Sequence, residues 1–170
     1  LWKVMQKELS DQDLGAIFEL ETNLFPCLVD MRFLGVKVNV ERAHELKRDL
    51  TLQEEMLLHK IKKETGIDTQ IWAARSIAKV FEKLNLPFDR TEKTNSPSFT
   101  KNFLSSHKHP LVRMISETRE VNKARTTFID TIIRYEHSDR IHADINQIRS
   151  DSGGTVTGRF SYSNPNLQQI

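Results

Sequence analysis

Apolar residues recur at spacings of three and four through most of the chain, the period of a helix that buries one face. In LGAIFELETNLFPCLVDMRF the recurring positions are Leu14, Ile17, Phe18, Leu24, Leu28 and Met31. This predicts a helix capped by Asp11 or Asp13, kinked at Pro26 where proline has no N–H to donate, and ended by Gly35 before a short extended VKVN. Asn39 starts the next helix, VERAHELKRDLTLQEEMLLHKIKKETG, with Ala43, Leu46, Leu50, Leu57 and Ile61 along one side, alternating charge along the other, and Gly66 as its stop. RSIAKVFEKLNLPF is a shorter helical pattern closed by Pro87. The polar DRTEKTNSPSFT reads as a flexible tip, with Pro97 placed to open a short helix through Phe103 and Leu104. Pro110 then opens the longest patterned helix, whose apolar side carries Leu111, Ile115, Val121, Phe128, Ile129 and Ile132.

After His137 the period drops to two. RIHADINQI sets Ile141, Ala143 and Ile145 on one face and His142, Asp144 and Asn146 on the other, the pattern of a half-buried strand. RSDSGG reads as a turn, and TVTGRFSY as a returning strand that presents Arg159 and the SNPNLQQI loop at the hairpin's end. The expected fold class is therefore mainly α with a small β portion (α+β), a helical arm followed by the opening strands of a mixed sheet.

Composition narrows the picture. At 38% hydrophobic and 28% charged residues the chain has the balance of a folded globular protein. It has no run near the roughly 18 apolar residues of a membrane span, and no signal-peptide core or initiator Met. The expectation is a soluble piece of a longer protein, with no membrane partner and a cytoplasmic location. Cys27 is the sole cysteine, which rules out an intrachain disulfide and reads as a core thiol.

Charge is uneven: residues 1–89 hold 13 Lys and Arg against 15 Asp and Glu, whereas residues 90–150 hold 11 against 7. Within the basic half, Arg119 and Lys123 stand four apart and so share one helix face. Two like charges stacked this way repel unless an anion lies between them, which points to a phosphate contact; pairing with Glu117 or Glu120 is the alternative. Gly153 and Gly158 have the spacing of a phosphate-binding loop, but Arg159 and Phe160 replace its Lys and Ser or Thr, and no helix pattern follows. His107 and His109 have no Cys or carboxylate at ligand spacing.

The closing TGRFSYSNPNLQQI resembles the TGRLSS..PNLQN stretch of family A DNA polymerases, with Thr157, Gly158, Arg159, Ser161, Pro165, Asn166, Leu167 and Gln168 in matching places. Upstream, ELETNLFPCLVDMRFLGVKVN, AKVFEKLNLP, REVNKARTTFID and RIHADINQ resemble family segments in the same order, and the GGTVTGRFSY wording looks closer to bacteriophage members. Phe160, Tyr162 and Gln169 depart from the family's Leu, Ser and Asn. The resemblance implies a DNA-directed DNA polymerase acting in DNA replication, in the host cytoplasm if viral. Residues 1–24 would be a connector from an exonuclease domain, 25–136 a helical thumb, and 137–170 the start of the palm.

It further implies primer-template DNA as the partner. Arg159, Asn166 and Gln168 would meet the minor groove, where every Watson–Crick pair offers purine N3 and pyrimidine O2 acceptors at nearly the same positions. Lys93, Lys101, Arg119, Lys123, Thr127, Thr157 and Ser161 would meet the DNA backbone. The family's catalytic carboxylates fall outside these 170 residues, so Mg2+ and dNTP are expected only with the full-length enzyme and this piece is expected to be inactive. Two other readings stand beside it: a helical protein-interaction module, and a stand-alone duplex-binding accessory protein.

Overall fold

The computed structural model describes residues 1–150 and 153–170. It is mainly helical with three small antiparallel sheets, as the periodicities require. The chain divides into two compact units, one made of residues 1–40 and 131–170, the other of residues 41–130.

The first unit begins with α1 (Trp2–Asp11) and α2 (Gly15–Leu34). The sequence pattern did not single out α1. Neither predicted aspartate caps α2: Asp11 is the last residue of α1, Asp13 takes a positive φ, and Leu14 occupies the cap with no side-chain hydrogen bond. The helix runs unbroken through Pro26, which cannot donate to the Thr22 carbonyl one turn before it. Cys27 is exposed on this helix and not in a core, because the surrounding apolar positions are also largely exposed and Leu28 alone in α2 is buried.

Gly35 ends α2 as expected, with φ +67 and its N–H on the Met31 carbonyl at 2.9 Å. The orphan carbonyls of this helix end are met by two basic side chains. Arg140 Nη1 donates to Leu34 O (3.0 Å) and Gly35 O (3.2 Å), and His142 Nδ1 lies 2.9 Å from Arg32 O. Strand β1 (Val36–Lys37) follows and pairs with the later β5 (Arg140–Ile141), which also pairs with β4 (Glu136–His137). The two residues between β4 and β5, Ser138 and Asp139, both take positive φ (51 and 61), the requirement of the tightest hairpin turns. Asp139 N–H donates to Glu136 Oε1 at 2.8 Å, holding that turn.

RIHADINQI is therefore not one strand. Its first residues belong to β5, and β6 (Asp144–Asn146) pairs in a different sheet with β7 (Ser161–Ser163), in the register Asp144 to Ser163 and Asn146 to Ser161. The returning strand starts at Ser161, later than TVTGRFSY implied. Residues 151 and 152 of the expected RSDSGG turn lie outside the described residues, and beside them Ser150 N–H donates to Gly153 O at 2.7 Å. The chain closes with a short 3-10 turn at Leu167–Gln169.

The second unit is built on α3 (Val40–Thr65), α4 (Ala74–Lys83), α5 (Lys101–Ser106) and α6 (Pro110–Lys123). Its core is Ile61, Ile77, Val80, Phe81, Leu104, Val112 and Ile115, all fully buried, with Phe99 against them. Phe81 stands at its centre, its ring 4.9 Å from that of Phe99 and 5.9 Å from that of Phe103. The expected flexible tip contains a hairpin, β2 (Asp89–Arg90) against β3 (Pro97–Ser98), with Arg90 Nη1 on Asn95 O at 3.0 Å. Pro97 thus lies in a strand and does not open a helix. Thr100 performs the capping instead, its hydroxyl accepting from Phe103 N–H at 3.2 Å.

The last predicted helix is interrupted. After α6 the backbone widens into a π-helical turn, Ala124–Ile129, before α7 (Asp130–Tyr135). A π turn rotates the side chains that follow it relative to an α-helix, and the residues around it form a polar network. Arg125 Nε and Nη2 both donate to Glu54 Oε2 (3.1 and 3.0 Å), while Glu54 Oε1 accepts from Asn122 Nδ2 (2.8 Å). Asn122 Oδ1 in turn accepts from the Trp72 indole N–H (2.8 Å). Asp130 lies 3.5 Å from Arg125 Nη1 and 2.7 Å from Lys47 Nζ. Glu54 and Arg125 side chains are only 13% and 21% exposed, so neither ion regains much water if the other is removed.

Three stability outcomes follow. Glu54→Ala should lower the unfolding free energy by about 2–3 kcal/mol, since it leaves the largely buried Arg125 with only its longer contact to Asp130. Phe81→Ala should cost about 3–5 kcal/mol by opening a cavity at the core's centre. Gly35→Ala should cost about 1–3 kcal/mol, because its new Cβ would sit 2.8 Å from the His142 ring and 2.9 Å from Ile141 O at a positive φ. Urea titrations followed by circular dichroism check all three, and an unchanged midpoint in any of them contradicts the corresponding contact.

Candidate nucleic-acid interface

The basic residues singled out by spacing do not share one fate. Arg119 is turned inward: its Nε donates to Ile71 O at 2.7 Å and its Nη1 to Phe99 O at 2.8 Å, and its guanidinium carbon lies 5.2 Å from the centre of the Trp72 ring. Burial pulls its pKa below the ordinary arginine value, and the two carbonyl contacts replace the water it has lost. Only Nη2 remains uncommitted. The partner of Arg119 is thus neither Glu117 nor Glu120 but backbone carbonyls, which take two of its five N–H groups.

Lys123, one turn later, has no hydrogen-bonding or charged partner among the described residues and is exposed. Lys101 lies 3.7 Å from Glu120, and both side chains are more than half exposed, so water screens the pair. Lys101, Arg119 and Lys123 line one cavity together with Trp72 and Glu120. The structure therefore brings three of the four expected cations together. Lys93 stands apart in the connection between β2 and β3, where Thr91, Thr94 and Ser96 tie the turn by hydroxyl bonds of 2.7 and 3.1 Å. Thr127 is exposed within the π turn.

In the other unit, the 153–170 segment is fixed by its own polar groups. Thr155 Oγ1 donates to Arg159 O at 2.7 Å, and Thr157 Oγ1 to Thr155 Oγ1 at 3.3 Å. Gly158 takes φ +72, which turns the chain toward Arg159. Asn146 Nδ2 reaches Ser163 Oγ at 3.2 Å and, more weakly, Ser161 O at 3.4 Å across the β6–β7 pair. Asn164 Nδ2 donates to Asp144 Oδ2 at 3.0 Å, and Asp144 also pairs with Arg32. The Asn164–Pro165 peptide bond is cis, and Pro165 is buried.

The three expected minor-groove donors are differently committed. Asn166 Oδ1 accepts from Gln168 N–H at 3.1 Å as the cap of the 3-10 turn, which leaves the Nδ2 donors unused. Gln168 Nε2 donates to Phe160 O at 3.0 Å, tying the turn to the residue next to Arg159. One of its two amide protons is thereby spent. The Arg159 side chain is exposed and, among the described residues, has no hydrogen-bonding or charged partner.

Trp72 was not singled out by the sequence pattern. Its signal is visible in retrospect: a lone aromatic in the polar stretch DTQIWAARS. No group of three His, Cys, Asp or Glu side chains among the described residues comes together as a metal site, and no described helix is long and apolar enough to cross a membrane.

The match to known proteins covers nearly the whole chain. It is 30% identical to a DNA-directed DNA polymerase of Pseudomonas phage M6 over 96% of its own length and 26% of the relative's. It is 31% identical to the DNA polymerase DpoZ of Salmonella phage PMBT28, covering all of this chain and 30% of that protein. A thermostable DNA polymerase I of Thermus filiformis is 31% identical over the whole chain and 20% of its own length. The chain thus spans less than a third of these relatives. Its fold matches the POL domain of Pol1 from M. smegmatis, solved in complex with DNA primer-template and dNTP, with a TM-score of 0.80 over 99% of this chain and 30% of that one, at 22% identity. Residues 40–170 match the model of the family described as DNA polymerase family A, and the chain belongs to that family.

Proposed function

We propose that this chain is the part of a DNA-directed DNA polymerase that holds primer-template duplex during replication in the cytoplasm of a cell or of a phage's host. Lys93, Lys101, Lys123 and Thr127 would meet phosphates, and Arg159, Asn166 and Gln168 the minor groove of newly formed pairs, with Thr157 and Ser161 beside them. Arg119 then serves chiefly as a positioning residue through Ile71, Phe99 and Trp72. The observation that carries the reading is Arg159: an exposed guanidinium, without a partner among the described residues, on a segment whose neighbouring hydroxyls and amides are held by internal bonds.

A donor fixed in this way tests base-pair geometry without reading sequence, because a mismatch moves the minor-groove acceptors away from it. The phosphate contacts add affinity and salt dependence instead. Nucleotide addition itself needs carboxylates holding Mg2+. In this reading dNTP and Mg2+ are bound by the whole polymerase.

The test is a salt titration of binding to primer-template duplex with a matched or a mismatched terminal pair. Lys123→Ala should weaken binding on both duplexes alike and reduce the salt slope by about 1. Arg159→Ala should remove roughly 1–3 kcal/mol of the preference for the matched end while leaving the slope nearly unchanged. Binding that ignores salt, from a folded chain, would overturn the reading.

A further inference from the structure

We infer that Trp72 is a stacking platform for an unpaired nucleobase, in a site for single-stranded nucleic acid that borders the lysines of the duplex grip. The inference rests on the nucleic-acid reading above and shares Lys101 and Lys123 with it, but turns on the Trp72 ring, to which that reading gives no DNA contact. A large aromatic ring is normally buried, yet Trp72 is 59% exposed. Its orientation is nevertheless fixed. The indole N–H is bonded to Asn122, which is bonded to Glu54, which is paired with Arg125. The Arg119 guanidinium lies over the ring and is itself held by two backbone carbonyls.

Such an arrangement lowers the entropy cost of stacking, since the ring is already in place before a ligand arrives. The cavity that Trp72 lines is about 230 Å³, below the roughly 300 Å³ at which pockets for drug-sized molecules begin, and therefore suited to one planar ring. Lys101, Arg119 and Lys123 give its lining three positive charges against the single negative charge of Glu120. Glu120 is already engaged by Lys101 in an exposed, screened pair, which a phosphate can replace.

An aromatic face rimmed by ammonium groups is the chemistry of sequence-tolerant single-strand binding, because every base has a π face and every linkage a phosphate. Bases inside a duplex have both faces covered by their neighbours. Only an unpaired stretch, such as a template overhang or a frayed end, offers one to Trp72.

The experiment uses the whole chain with Trp2→Phe, which leaves Trp72 as the only tryptophan. Short oligo-deoxythymidylate should quench Trp72 fluorescence, and an abasic strand of the same length should bind at least about fivefold more weakly. Trp72→Ala should cost the oligothymidylate a similar factor, with Trp72→Phe retaining part of the affinity and duplex affinity falling by less than the oligothymidylate's in both variants. Equal affinity for the abasic strand, or oligothymidylate binding unchanged by Trp72→Ala, overturns the inference while leaving the duplex grip standing. Absence of binding to either strand or duplex overturns both.

Discussion

The Glu54 carboxylate is the constraint around which the second unit is arranged. An ion taken largely out of water costs several kcal/mol unless its lone pairs are met, and this one is met by Arg125 through two donors and by Asn122 through one. Those partners come from the π turn and the last turn of α6, while Glu54 comes from α3. The π turn has a physical reason in this geometry. It re-aims the residues at the end of α6, so that Arg125 faces Glu54 and also approaches Asp130. From Asn122 the same chain of bonds reaches Trp72. The exposed aromatic is thus secured by a half-buried ion pair.

Much of the structure that depends on apolar spacing was legible in the sequence. The helices read from three-four periodicity are present, Gly35 and Gly66 end the helices they were expected to end, and Pro110 opens α6. Several features that were not legible depend on partners far along the chain. Glu54 and Arg125 are 71 residues apart, and Arg119 reaches back 48 residues to Ile71 O. Nothing in the i to i+4 relation of Arg119 and Lys123 shows that one of them is consumed by backbone carbonyls. RIHADINQI alternates correctly for a strand, but alternation does not show that His142 is drawn to the end of α2 and that the pairing partner changes between Ile141 and Asp144. The β4–β5 turn was missed because Ser138 and Asp139 stand where Asn-Gly would give the usual signal.

The partition of cations between fixed and free follows from side-chain chemistry. Arg119, Arg125 and Arg140 are each spent on two or more acceptors within the protein. A planar guanidinium fork can serve several acceptors at once and is weakly hydrated, so it tolerates partial burial. The cations left facing solvent around the Trp72 cavity are lysines, whose compact charge is strongly hydrated and whose flexible stem can follow a phosphate. Around this cavity the arginine is held by the protein and the lysines face solvent.

Arg159 differs from Arg119, Arg125 and Arg140 in facing solvent, and its setting bears on what it can do. A lysine at that position would carry a mobile point charge, adequate for a phosphate but indifferent to the direction of an acceptor. A guanidinium offers several directed N–H groups in one plane. Around it, Thr155 holds its carbonyl, Gly158 sets the approach of the chain, and Gln168 fastens the following residue to the closing turn. A directional donor discriminates only if its base is held, since free rotation would let it follow a displaced acceptor. The turn chemistry that fills this segment supplies that restraint at the backbone, while the guanidinium itself has no partner among the described residues.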